Sequence, residues 1–269
     1  MKKTDTFFII DNFNHDPSLI VEYSNNYIIY DASTNESFTN VIKEKGFNYK
    51  KVKRTGHNIS SYFDFFIENY DKLPDYMCLT KGHMIGRHCT KEYFDRVYDN
   101  KFFTYLYSQQ EGEHTKLPVS SMLMENMYIE KNDSWYVNSA SHPHKYFDNL
   151  NRLLNFIYKN PVLPEYTVFA PGGCYIVTKE QVLKNPKNLY KILNEITTYE
   201  LNPNFPSEAH MLERILPILF SSNYNLKDYI FEGGEYESVL EKEIEITHKN
   251  DEQKKKIIYK LKRKLGFVL

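Results

Sequence analysis

TFFIIDNFNHDPSLIVEYSNNYIIYDAS, residues 6–33, reads as strand, turn, helix and strand. Thr6 to Ile10 is a run of β-branched and aromatic side chains, closed by the polar loop Asp11-Asn12-Phe13-Asn14. Asp16-Pro17 starts a helix whose inward face is Leu19, Ile20 and Tyr23. Tyr27 to Tyr30 forms a second strand that ends on Asp31-Ala32-Ser33. Strand, helix and strand within about 30 residues make a βαβ unit. The expected fold class is therefore α/β, with a Rossmann-like, mostly parallel sheet flanked by helices.

Further along, a polar stretch containing Gly46 leads to Arg54-Thr55-Gly56-His57-Asn58. Ile59, Tyr62, Phe63, Phe66, Ile67 and Tyr70 then recur at helical spacing until Leu73-Pro74-Asp75 stops the helix. Tyr76 to Thr80 is a third strand, and Thr90 caps a helix from Lys91 to about Tyr98. Residues 101–141 mix short strands with polar turns around Trp135. Pro143 to Tyr158 reads as a helix with Phe147, Leu150, Leu153, Leu154 and Ile157 on one face. Tyr166 to Ala170 and Cys174 to Val177 are strands joined by Pro171-Gly172-Gly173, in a hairpin turn or at an approach point for a ligand. Lys179 begins a helix, and Ser207 caps another from Glu208 to Phe220, which Pro217 kinks or shortens. Gly233-Gly234 divides an α/β domain, residues 1–232, from a helical C-terminal extension, residues 233–269.

A formal net charge of -1 gives no field that would draw nucleic acid. Cys78, Cys89 and Cys174 are odd in number and lack metal-ligand spacing, so neither a disulfide framework nor a zinc site is expected. No apolar run approaches 18 residues, and the N-terminus has no hydrophobic signal region. The expected location is the cytoplasm. The run KKKIIYKLKRK, residues 254–264, holds seven cations in eleven residues, with Ile257, Ile258, Leu261 and Leu265 on one helical face. It reads as a basic amphipathic helix, which either anchors the protein peripherally on the cytoplasmic (inner) membrane face, binds a partner or packs on its own domain.

In an open α/β sheet, ligands bind at the carboxyl ends of the strands. Asp11, Asn12, Asp31 and Ser33 stand there as acceptors for a base and a ribose. Lys81, Gly82, His83, Arg87 and His88 stand there as a cationic, glycine-containing loop for a diphosphate. Arg54, Gly56, His57 and Asn58 precede a helix and form a second candidate anion site. Gly172, Gly173 and His210 are candidates for an acceptor site. Glu208 and Glu213 are candidate general bases, the first at a helix start and the second beside Arg214, which could hold it in a plain ion pair.

The residues also resemble a known family. Gly56-His57-Asn58, Ser61-Tyr62, Phe66-Ile67 and Tyr70-Asp71-Lys72-Leu73-Pro74-Asp75 are similar to the DUF3431 group of glycosyltransferase-like proteins. That group has a Gly-Arg-Glu-type turn, a helix with Ser-Tyr, and Tyr-Asp-x-Leu-Pro-Asp before a strand. Gly172-Gly173 with Ile176-Val177, Asn185-Pro186 with Tyr190, and Glu208, Glu213-Arg214 and Phe220 resemble its later segments. The resemblance spans about residues 6–222, with His57-Asn58 standing where the family has Arg-Glu. It implies a GT-A-like transferase of the kind found among genes for surface polysaccharide.

The expected function is transfer of a sugar from a nucleotide-sugar donor to a glycan or lipid-linked glycan in capsule or O-antigen assembly, with inversion. The alternative is a non-catalytic carbohydrate- or nucleotide-binding module on the same fold. No cofactor is expected beyond a divalent metal, which stays open. The Asp-x-Asp metal motif common in GT-A enzymes is missing from the third strand's end, where Lys81, His83, Arg87 and His88 stand instead; Asp95 and Asp99 fall on a helix. Cationic side chains can stabilise a leaving diphosphate, so metal-independent transfer is expected.

Overall fold

A computed structural model describes residues 3–53, 55–108, 121–124, 126–132, 144–199, 206–231 and 235–265, with the backbone alone for 121–124. Arg54, Trp135 and Gly233-Gly234 lie outside the described residues. The main sheet contains β1 (Phe7–Asn12), β2 (Tyr27–Asp31), β3 (Tyr49–Lys51), β4 (Tyr76–Lys81), β5 (Thr104–Tyr105) and β9 (Tyr175–Thr178), in the order β3-β2-β1-β4-β9-β5. The first four are parallel, while β9 runs antiparallel to both β4 and β5. The expected α/β class, with a mostly parallel sheet flanked by helices and a C-terminal helix, is what the chain adopts.

Side chains alternate across this sheet with period two, and both faces are covered. Ile9, Met77, Leu79, Tyr175 and Val177 face one core, which also contains α3 (His57–Asn69) and α7 (Lys187–Glu195). Phe8, Ile10, Cys78 and Ile176 face the other, under α1 (Ser18–Val21), α2 (Glu36–Glu44) and α4 (Lys91–Val97). On the first side Phe66 and Tyr190 rings meet at 5.1 Å and Phe63 and Tyr190 at 5.5 Å. Each such pair contributes about 0.5–1.5 kcal/mol beyond its burial. All three cysteines are buried and free.

A second sheet, β6 (Ser121–Met124), β7 (Met127–Lys131) and β8 (Tyr166–Phe169), is antiparallel. The segment Pro171-Gly172-Gly173 is therefore not a hairpin. It carries the chain from the small sheet into the large one. Gly172 and Gly173 adopt φ of 90° and 64°, which a residue with a Cβ rarely tolerates.

Several local expectations are corrected. The polar stretch before Arg54 forms α2 and β3. The helix expected from Pro143 begins only at Leu150, as α5 (Leu150–Ile157), where Asn149 accepts from Arg152 N at 3.0 Å. Upstream, the N–H groups of 145–147 point at a glutamate instead of entering a helix. α6 (Lys179–Leu183) carries a capping box between Thr178 and Gln181. Ser207 is the first residue of α8 (Ser207–Ser221), not its cap, and Pro217 does not end that helix. Leu19 faces out, while Ile20 and Val21 face in.

The C-terminal segment is one helix, α9 (Tyr236–Lys264). Its first half is fastened to the domain: Arg152 donates to Thr247 Oγ1 and the Glu243 carbonyl at 2.8 and 2.9 Å, and Asn250 donates to Asp148 at 2.9 Å. Among the described residues, no helix is long and apolar enough to cross a membrane.

Candidate functional site

β1 lies between β2 and β4, so successive crossovers diverge at its carboxyl end. That is the switch point at which open α/β sheets bind ligands. A cavity of about 850 Å³ opens there, between the ends of the large sheet and the small sheet. Its floor comes from Asp11, Phe13, Asn14 and His15 after β1 and Ala32 after β2. The small sheet and α8 close the far side with Tyr128, Glu130, Phe169, His210, Glu213 and Arg214.

One wall is cationic. Lys81, His83, Arg87 and His88 come from the loop after β4, and Lys53 from beyond β3. Arg87 Nη1 lies 2.6 Å from His83 Nε2, and the His83 and His15 rings are 5.2 Å apart. The N-terminus of α3 joins this wall through His57, Asn58 and Ile59. No acidic residue of its own occupies the first turn of α3, whose positive dipole end faces this wall. The Asn58 side chain does not cap α3 but donates to the Gly172 carbonyl at 2.9 Å.

His88 differs from the cations around it. Burial, then the positive charges of Lys81, Arg87 and His83, push its pKa down to about 2. It is therefore a neutral imidazole with a buried Nε2 that has no hydrogen-bond partner among the described residues. A Cβ on Gly172 would sit 2.8 Å from its ring, so that glycine is required for close approach.

The two candidate bases separate. Glu213 lines the cavity; its Oε1 accepts from Gly172 N at 2.7 Å, and its Oε2 has a long 3.4 Å contact with Arg214. Arg214 is engaged elsewhere: it donates through Nε to Glu130 at 2.5 Å and lies 4.8 Å from the Phe169 ring centre. The ion pair that could have explained Glu213 is thus made mainly by Glu130. Glu208 is fully buried and lies off the cavity, although a more accessible position is expected at a helix start. It accepts N–H from Lys145, Tyr146 and Phe147, at 2.9, 2.7 and 3.2 Å, and the Tyr199 hydroxyl at 2.5 Å. Burial raises its pKa against the pull of those donors.

Other predicted residues also turn inward. Asp31 is fully buried and accepts from Ser33, Thr39 and Lys51. Burial alone would raise its pKa, but those donors outweigh it and hold it below the ordinary carboxylate range. Asn12 donates to the His15 carbonyl and to Asp31, and Ser33 Oγ accepts from Asn14 N. Together they stiffen the loops beneath the cavity without lining it. Gly82 and Gly56 are close-packing positions. An added Cβ would meet Asn12 Oδ1 at 2.2 Å in the first case and Thr197 Oγ1 at 2.8 Å in the second. Gly173 likewise backs onto Asn58 and Ile59. Asp11 lines the cavity and accepts from Ser61 at 2.8 Å. His210 lines it too, with its ring 5.6 Å from that of His57.

The sequence reading missed His15, Lys53, Tyr128, Glu130 and Phe169. His15 stands one residue beyond a loop that it did single out. Tyr128 and Phe169 meet edge to face at 5.6 Å because β7 pairs with β8, and no local pattern foretells that pairing. Among the described residues, no three His, Cys, Asp or Glu side chains converge as a metal-ligand set.

Comparison with known families places residues 24–229 in DUF3431, whose description is a protein of unknown function. The match covers most of the chain, and the chain belongs to that family. No curated protein and no solved structure matches it.

Proposed function

We propose that this DUF3431 protein is a GT-A-like glycosyltransferase that moves a sugar from a nucleotide-sugar donor to a glycan hydroxyl, with inversion. One observation carries the reading. A cavity at the sheet's switch point brings Lys53, Lys81, Arg87 and the α3 N-terminus together with Glu213 and the aromatic pair Tyr128 and Phe169. The cationic wall suits a diphosphate, and the aromatic faces suit a base or a sugar ring. In the reaction, the acceptor oxygen bonds to the anomeric carbon as the bond from that carbon to the diphosphate oxygen breaks. The acceptor proton passes to Glu213 Oε2, and Lys81 and Arg87 take up the charge on the departing nucleoside diphosphate.

The test is titration of the purified chain with nucleoside diphosphates and their sugars, with and without Mn²⁺, followed by assay of diphosphate release. The expected result is tight binding of one nucleotide class, with release slowed about 10²–10⁴-fold in Glu213→Gln. Binding without release, unaffected by Glu213→Gln, would make the protein a nucleotide-binding module. No nucleotide binding in any condition would remove the transferase reading.

A further inference from the structure

The stripe of α9 that holds the helix to the domain continues past the domain's edge. Leu240, Glu243, Thr247, Asn250 and Lys254 recur at alternating three- and four-residue steps, so they lie on one face. That face is spent on the domain. Leu240 and Thr247 are buried, Thr247 Oγ1 donates to the Tyr146 carbonyl at 2.7 Å, and Asn250 reaches Asp148. Further steps of four, three and four residues keep to that face and bring up Ile258, Leu261 and Leu265, with Ile257 beside them. These are 51%, 53%, 69% and 57% exposed. The stripe thus becomes more apolar where it leaves the protein, the reverse of what solvent favours.

Charge changes at the same point. Between Tyr236 and Gln253 six acidic residues accompany two lysines, whereas Lys254 to Lys264 carries seven cations and no acid. Lys255 and Lys262 border the apolar stripe on one side, and Lys260 and Lys264 on the other. We propose that the last three turns of α9 dock on an anionic lipid surface, with Ile257, Ile258, Leu261 and Leu265 buried among the acyl chains and the flanking lysines at the headgroups. Twelve residues, about 18 Å of helix, lie on such a surface and do not span it. A second copy is a poorer occupant. Pairing two such stripes would bring the bordering lysines of both chains together, and like charges repel. The last contacts of the helix with the domain are Asp251 with His144 and Lys254 with Asp148; next to His144, Lys145 is bound by Glu208, one position before cavity-lining Ala209. A docked tail therefore holds the cavity-bearing part of the domain close to the lipid.

The proposal does not rest on glycosyl transfer, and the experiment keeps the two apart. The full chain is floated with phosphatidylcholine vesicles and with vesicles that also contain phosphatidylglycerol. The expected result is co-flotation with the anionic vesicles only, reversed by salt. Replacing Lys260, Lys262 and Arg263 together with Gln should weaken it on the order of 100-fold. Ile258→Asp with Leu261→Asp should abolish it, leaving the urea midpoint and any nucleotide binding by the cavity unchanged. Absence of flotation, or equal flotation with neutral vesicles, would overturn the proposal. So would a lipid-independent dimer that Leu261→Asp dissolves, which would assign the stripe to a second copy.

Discussion

Two loops are held in place by carboxylates from one helix, and they are held differently. The 145–147 loop wraps three N–H groups around Glu208, whose other oxygen takes the Tyr199 hydroxyl, and no exposure remains. The 171–173 loop gives Glu213 a single N–H, from Gly172, and leaves the carboxylate facing a cavity. Chemistry needs unspent hydrogen-bonding capacity. A buried acid surrounded by donors is a staple; a partly satisfied acid beside a cavity can still accept a proton. Asp31 is a staple of the same kind as Glu208, enclosed by Ser33, Thr39 and Lys51.

The contrast breaks most visibly at Glu208. Glu208→Ala removes the acceptor of three N–H groups and a hydroxyl around a fully buried carboxylate, at a cost of about 3–5 kcal/mol. Urea unfolding should show that loss, with Glu208→Gln recovering part of it because an amide oxygen can still accept. A loss below about 1 kcal/mol would mean that the 145–147 loop is held by other contacts.

Gly172 belongs to the second loop, and its replacement comes next in size. With φ at 90° and a Cβ 2.8 Å from the His88 ring, Gly172→Ala combines backbone strain with a clash, together about 2–3 kcal/mol. Truncating the ring in a Gly172→Ala, His88→Ala double variant should relieve the steric share and leave the strain. Strictly additive single-variant losses would show that the ring is not what the new methyl meets.

How much of this was open to a sequence reading follows from the range of the interactions. β1, β2 and β4 announce themselves as short continuous apolar runs closed by polar residues, and α3 by apolar residues at helical spacing. α9 does so through its length and charge. α2 was lost because only Thr39 and Ile42 of its nine residues are buried, too narrow a face to register. The Lys81–His88 loop was found because glycines and cations sit together in sequence. Glu208, Asp31 and Asn12 were placed in the ligand site because their real partners come from elsewhere in the chain: Tyr146 for Glu208, Lys51 for Asp31, and Gly82 against Asn12. Residue type shows that a side chain wants hydrogen bonds, but not whether the fold has already supplied them.

His88 gives a smaller effect that appears only in acid. Its folded pKa is depressed, first by burial and then by Lys81, Arg87 and His83. Its contribution to stability is therefore present above the unfolded value of about 6.5 and is lost as pH falls towards the folded value. The unfolded chain takes up a proton that the native state refuses, which costs about 2 kcal/mol between pH 7 and pH 5. His88→Asn should remove that slope from urea unfolding measured across this range. An unchanged slope would mean that the ring protonates in the folded protein and joins the cationic wall.

The smallest effect on stability is expected at Glu213, and that is where the comparison becomes sharp. In Glu213→Gln the amide oxygen can still accept from Gly172 N, and Arg214 keeps its short bond to Glu130, so the fold should lose less than about 1 kcal/mol. What the variant lacks is a carboxylate able to take a proton. If the cavity is a transferase site, the same substitution that barely moves the urea midpoint should remove most turnover while leaving nucleotide binding near its original strength, since Lys53, Lys81 and Arg87, which would hold the diphosphate, are unchanged. A loss of stability as large as that of Glu208→Ala would make both glutamates staples, and Glu213 would then no longer stand as the base.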